Sequence, residues 1–122
     1  MINRIATVAV YVKDQQKAKA FWTEKAGFEV KAEHPMGPGM YWLEVAPPQA
    51  ETCLVIYPEG MMEDVESKNA SLVFDCENIQ VTYTTMKQNG VVFKGEPKAM
   101  QWGTFVQFQD EDGHEFVLRQ PS

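Results

Sequence analysis

Two stretches half a chain apart carry the same punctuation. Val12-Lys13-Asp14 matches Cys76-Glu77-Asn78, with Asp14 and Asn78 64 residues apart, and the glycines that should close the following helices, Gly27 and Gly90, are 63 apart. Two markers agreeing within one residue, at about half of a 122-residue chain, point to a duplicated module. Whatever the first half folds into, the second half should fold into as well.

The first half reads strand, helix, three strands. Ala6 to Val12 (ATVAVYV) alternates with period two and is rich in β-branched residues, so it reads as a strand. Asp14 is a plausible N-cap for a helix over Gln15 to Ala26, where Ala18, Phe21, Trp22 and Lys25 fall near helical spacing. Phe28 to Glu33 reads as a short strand. His34-Pro35-Met36-Gly37-Pro38-Gly39, with two prolines and two glycines, reads as a loop. Met40 to Val45 and Thr52 to Tyr57 are further strands about a turn at residues 47–50. In the second half, Ala70 to Cys76 reads as a strand, Ile79 to Asn89 as a helix, Val91 to Lys94 as a strand and Gly95 to Gln101 as a loop. "WGTFVQFQDEDGHEFVLRQ" (Trp102–Gln120) alternates on both sides of Asp112-Gly113, a hairpin signal because the glycine accepts the positive φ of a tight turn. The reading is therefore α+β: one domain, 1–122, made of two βαβββ modules (about 1–57 and 70–120) joined by the acidic linker 58–69.

A net charge of −6 with scattered Lys and Arg leaves no basic patch, which argues against nucleic acid and anionic membranes as partners. No apolar run approaches the roughly 18–20 residues of a membrane span. No export signal pattern is visible at Met1-Ile2-Asn3-Arg4-Ile5, so the expected location is cytoplasmic. Cys53 and Cys76 lie in apolar runs and read as buried reduced thiols.

The order βαβββ twice, "VKDQQKAKAFWTEKAGFEV" (Val12–Val30), "MKQNGVVF" (Met86–Phe93) and "WGTFVQFQDEDGHEFVL" (Trp102–Leu118) resemble the vicinal oxygen chelate superfamily. That superfamily contains glyoxalase I, extradiol dioxygenases, fosfomycin-resistance enzymes and bleomycin-binding resistance proteins. The resemblance implies that each module's sheet curls with its helix outside, that two modules form a cup, and that the protein is a homodimer.

Strand parity then sorts side chains between faces. Val8, Val10, Val12, Leu43, Val45, Leu54, Ile56, Leu72, Phe74 and Cys76 should lie under the helices. Thr7, Tyr11, Trp42, Glu44, Val55, Tyr57, Ser71, Phe105, Gln107, Val117 and Arg119 should face the cup, together with Ala9, Val73 and Asp75. Metal-dependent members place four His, Gln or Glu ligands on such positions, and the resemblance carries these onto Thr7, Val55, Ser71 and Val117. Hydroxyls and isopropyl groups are not a ligand set for a transition metal. Neither are their immediate neighbours, Ala6, Val8, Leu54, Ile56, Ala70, Leu72, Phe116 and Leu118, so no metal cofactor is expected. His34 and His114 read as solvated turn residues rather than ligands.

The leading expectation is a glyoxalase/bleomycin-resistance-like protein without the metal, binding a small, largely apolar molecule through Tyr11, Trp42, Tyr57 and Phe105. Met36 and Met40 would supply adaptable contacts and the Pro35–Gly39 loop a candidate lid. Arg119 is a candidate clamp for an anionic group. The alternative is a glyoxalase-type lyase or isomerase, or a dioxygenase-like enzyme, using non-standard metal ligands or Glu44. A carboxylate desolvated among Trp42 and Tyr57 is a candidate general base. A third possibility is an interaction module docking a partner through Glu59–Glu66.

Overall fold

The computed structural model describes residues 1, 5–59, 72–101 and 103–122, and the chain divides into two compact units, Met1–Ala70 and Ser71–Ser122. The first unit contains β1 (Thr7–Val12), α1 (Gln15–Ala20) continued by a π-helical turn (Phe21–Lys25), β2 (Glu29–Gly37), β3 (Met40–Ala46) and β4 (Cys53–Pro58). The second contains β5 (Val73–Asp75), α2 (Ile79–Gln88), β6 (Val92–Met100), β7 (Gly103–Gln109) and β8 (Glu115–Pro121). The sheet orders are β1-β4-β3-β2 and β5-β8-β7-β6. In each, the first strand runs parallel to the last and the remaining pairs are antiparallel. The repeat in the sequence is thus a repeat in topology.

The markers do the work their chemistry suggests. The Asp14 carboxylate accepts hydrogen bonds from the Gln16 and Lys17 amides at 3.0 and 3.1 Å, and the Asn78 carbonyl accepts one from the Val81 amide at 3.2 Å. Gly27 and Gly90 leave their helices at φ 79° and 96°, the left-handed region that only glycine enters without strain.

Each core lies between a helix and one face of its sheet. In the first unit Val10, Val12, Leu43, Val45, Leu54 and Ile56 are buried beneath Ala18, Phe21 and Trp22. Gln15 ties α1 to that sheet. It is buried, its amide nitrogen donates to the Tyr41 and Ile56 carbonyls at 2.6 and 2.7 Å, and its oxygen accepts from the Tyr41 amide at 3.0 Å. The second core is aromatic: Phe74, Phe93, Phe108 and Phe116 pack with ring centroids 5.5–6.1 Å apart, and Tyr83 of α2 caps Phe93 at 4.7 Å. Gly103 has the tightest backbone approach, since a Cβ there would lie 2.5 Å from the Gln120 carbonyl oxygen.

Several expectations are corrected. The predicted helix Gln15–Ala26 is α-helical only to Ala20. The π turn that follows lets the adjacent residues Phe21 and Trp22 both bury, which the 100° step of a regular helix disfavours. The predicted loop at His34–Gly39 is mostly strand, because β2 continues to Gly37, with His34 opposite Trp42 and Pro35 opposite Tyr41. β2 is an edge strand, where proline's missing N–H is tolerated, and two bulges absorb the irregular register. Pro38-Gly39 is a tight turn, too short to act as a lid. The predicted loop Gly95–Gln101 likewise becomes β6 as far as Met100. Its bulge advances four positions, from Lys94 to Lys98, against two on β7.

His114 is not a solvated turn residue. Its side chain is only 14% exposed and its Nδ1 lies 2.7 Å from the buried Asp110 carboxylate. That carboxylate also accepts the Asp112 and His114 amides, so it organises the hairpin turn. Cys53 and Cys76 are reduced thiols as expected, but half-buried rather than buried. Ser71, Trp102 and most of the acidic linker lie outside the described residues.

Candidate functional site

The faces turned away from the helices carry the residues singled out in the sequence, and the register lines them up in rows. In the first sheet Ala9 pairs with Val55, Val55 with Glu44, and Glu44 with Ala32. Beside this row of mostly small residues stands a row of large ones, Tyr11, Tyr57, Trp42 and His34. Tyr11 and Tyr57 meet edge to face with centroids 6.1 Å apart, and Tyr57 and Trp42 meet the same way at 6.3 Å. The result is an aromatic wall of half-buried rings beside the row of small residues. Thr7 lies exposed at the end of β1, opposite Cys53. Val55 is 2% exposed although its partners place it on this face.

Glu44 sits in the row of small residues, half-buried, with its Oε2 accepting the Trp42 indole N–H at 2.7 Å. A hydrogen bond to a charged acceptor is among the stronger ones, so the indole fixes the carboxylate's orientation. Among the described residues Glu44 has no ion-pair partner, and the Tyr11 and Tyr57 hydroxyls have no hydrogen-bond partner.

The second sheet repeats the rows with different chemistry. Val73, Val117, Gln107 and Lys94 stand where Ala9, Val55, Glu44 and Ala32 stand in the first, and Asp75, Arg119, Phe105 and Lys98 replace the aromatic row. Arg119 forks onto Asp75, Nε to Oδ1 at 2.7 Å and Nη2 to Oδ2 at 2.9 Å. The Arg119 hydrogen bond holds the Asp75 carboxyl below its ordinary value, and the same contact raises Arg119. The β6 bulge shapes a concavity of about 370 Å³ lined by Phe105, Gln107, Val117, Lys94, Lys98 and Met100, among others. Lys94 is paired with Glu115.

Phe105, Gln107 and Val117 follow from strand parity; Lys94 lies on a predicted strand assigned to no face, and Lys98 and Met100 fall in the stretch Gly95–Gln101 that reads as a loop. Sequence reasoning also missed that Asp75 occupies Arg119. The repeat held that signal, since Asp75 and Arg119 are the counterparts of the paired Tyr11 and Tyr57. At the positions to which the resemblance carries metal ligands, Thr7 offers a hydroxyl, Val55 and Val117 offer none, and Ser71 lies outside the described residues. This donor set does not fit a transition-metal ion. Among the described residues no three His, Cys, Asp or Glu side chains converge as a metal site would require.

Comparison with known proteins agrees with this architecture. Residues 4–118 match the model of the Glyoxalase/Bleomycin resistance protein/Dioxygenase superfamily. The uncharacterized protein YetH of Bacillus subtilis (strain 168) is 64% identical over 120 residues, 98% of this chain and 100% of YetH. Among solved structures, a superfamily member from Sphaerobacter thermophilus DSM 20745 superposes with TM-score 0.88 at 28% identity, covering 98% of both chains. TnmS3, an antibiotic binding protein from Streptomyces sp. CB03234, superposes with TM-score 0.85 at 32% identity, covering 99% of this chain and 98% of TnmS3.

Proposed function

Because this chain belongs to the glyoxalase/bleomycin resistance protein/dioxygenase superfamily, we propose that it is a metal-independent binding protein for a small, largely apolar molecule. The aromatic wall of Tyr11, Tyr57 and Trp42 carries this reading: three large, half-buried rings line the face of the first sheet turned away from its helix, while the core fills the other face. The likeness to an antibiotic binding protein supports binding without turnover. So does the chemistry of Thr7, Val55 and Val117, which offers a superfamily metal none of the imidazole, carboxylate or thiolate ligands it needs. The concavity around Phe105 is a further contact surface for such molecules.

Covering roughly 300 Å² of apolar ligand surface at about 25 cal/mol/Å² is worth about 7–8 kcal/mol gross. Immobilisation costs about 4 kcal/mol or more, so apolar burial alone leaves about 3–4 kcal/mol or less, millimolar affinity or weaker, and tighter binding draws on ring and polar contacts. The working form in this reading is a cytoplasmic homodimer. Among the described residues no helix is long and apolar enough to cross a membrane.

The test is a thermal-shift screen of planar aromatic compounds, run with added Zn, Ni, Mn or Fe and again with chelator. The expected outcome is stabilisation by a subset of compounds, equal in both arms. Stabilisation that requires a metal would overturn the proposal.

A further inference from the structure

The duplication allows one face of the chain to be compared with the other. Where the first sheet has Trp42 and Glu44, the second has Phe105 and Gln107. Where the first has two tyrosines, the second has Asp75 and Arg119, which neutralise each other. The charges of those two positions are settled within the chain, while Lys98 at the end of the row keeps its own. On the first face the charge is not settled. Glu44 is half-buried beside aromatic rings, and among the described residues no Lys, Arg or His pairs with it.

The Trp42 indole needs only an oxygen acceptor, which an amide such as that of Gln107 would supply. What the acid adds is a negative charge, and a partly desolvated charge is costly unless a counter-charge meets it. Aromatic rings next to it present electron-rich faces that attract cations and repel anions. Carboxylate and rings therefore ask for the same kind of guest.

We infer that the aromatic face of the first unit, turned away from its helix, selects organic cations: an apolar or aromatic body carrying a protonated amine. The amine reaches the Glu44 oxygen not held by Trp42, and the body lies against the half-buried rings of the aromatic wall. The inference rests on the binding function proposed above and specifies its ligand class.

Three probes sharing one skeleton test it by calorimetric titration: 2-naphthylmethylammonium, 2-naphthylmethanol and 2-naphthoate. Wild-type protein should bind the ammonium about tenfold or more tighter than the alcohol, and the carboxylate most weakly. Glu44→Gln keeps an acceptor for the indole but removes the charge, so the ammonium-to-alcohol affinity ratio should fall from about tenfold or more to within about twofold. Glu44→Asp should retain a preference for the ammonium. An unchanged ammonium-to-alcohol ratio in Glu44→Gln would overturn the cation inference and leave the binding function standing. Wild-type protein binding naphthoate as tightly as the ammonium would do the same without any variant. If no probe binds, or if Trp42→Ala binds all three as wild type does, the aromatic face is not the site and both readings fall.

Discussion

Trp42 has two separable roles, one for its ring surface and one for its N–H. The ring forms the end of the aromatic wall, and the N–H fixes Glu44. Trp42→Ala should weaken any aromatic ligand by roughly 1–3 kcal/mol, because it removes both buried area and ring contact. Trp42→Phe should keep most of the area while releasing the carboxylate. Calorimetry with both variants separates the two contributions. Arg119, by contrast, is already engaged by Asp75. Asp75's folded-state value is depressed, so the pair contributes stability above the unfolded carboxylate value, and that contribution is lost as pH falls through the folded value. Urea midpoints should therefore show Asp75→Asn slightly less stable than wild type at pH 7, with the difference vanishing as pH is taken below the ordinary carboxylate range. Both partners are substantially exposed, so added salt should shrink the pH 7 difference.

Among the elements, Gln15 shows how one polar side chain can hold a helix to a sheet. Replacing it by Leu strands the Tyr41 amide and two carbonyls without partners, which should cost roughly 2–4 kcal/mol in urea unfolding. Because Gln15 binds from the helix side, probe affinity at the aromatic face should not change. Strands such as Thr7–Val12 and Cys53–Pro58 were legible because alternation survives wherever one face is filled by a helix. Proline and glycine in β2 and β6 misled, because such residues break central strands but not edge strands, and only the sheet order shows which strands are edges. The π turn left one trace in the sequence, two adjacent large aromatics at Phe21-Trp22, and period counting does not weigh it. The set on the faces turned away from the helices was legible by parity. Its electrostatics were not, because the pairing of Asp75 with Arg119 and the isolation of Glu44 depend on register rather than composition.

For the molecule as a whole, duplication separates scaffold from chemistry. Both units keep the caps, the sheet order and the rows, while the side chains on the rows have diverged from aromatic and acidic to ion-paired and amide. The proposed homodimer predicts a mass near twice 13.9 kDa by light scattering at micromolar concentration, and a value near 13.9 kDa would contradict it. The outermost strands carry a consequence for behaviour in a crowded cell. β2 and β6 each end their sheet, each contains a proline, Pro35 or Pro97, and each is bulged. A kinked edge with a missing donor is a poor template for an incoming β-strand, so neither rim can seed the open-ended stacking that ends in fibrils. Pro35→Val combined with Pro97→Val should bring forward thioflavin-positive aggregation on prolonged shaking, even if the melting temperature rises. Two residues that look like loop punctuation in the sequence would then act as guards against templated misassembly.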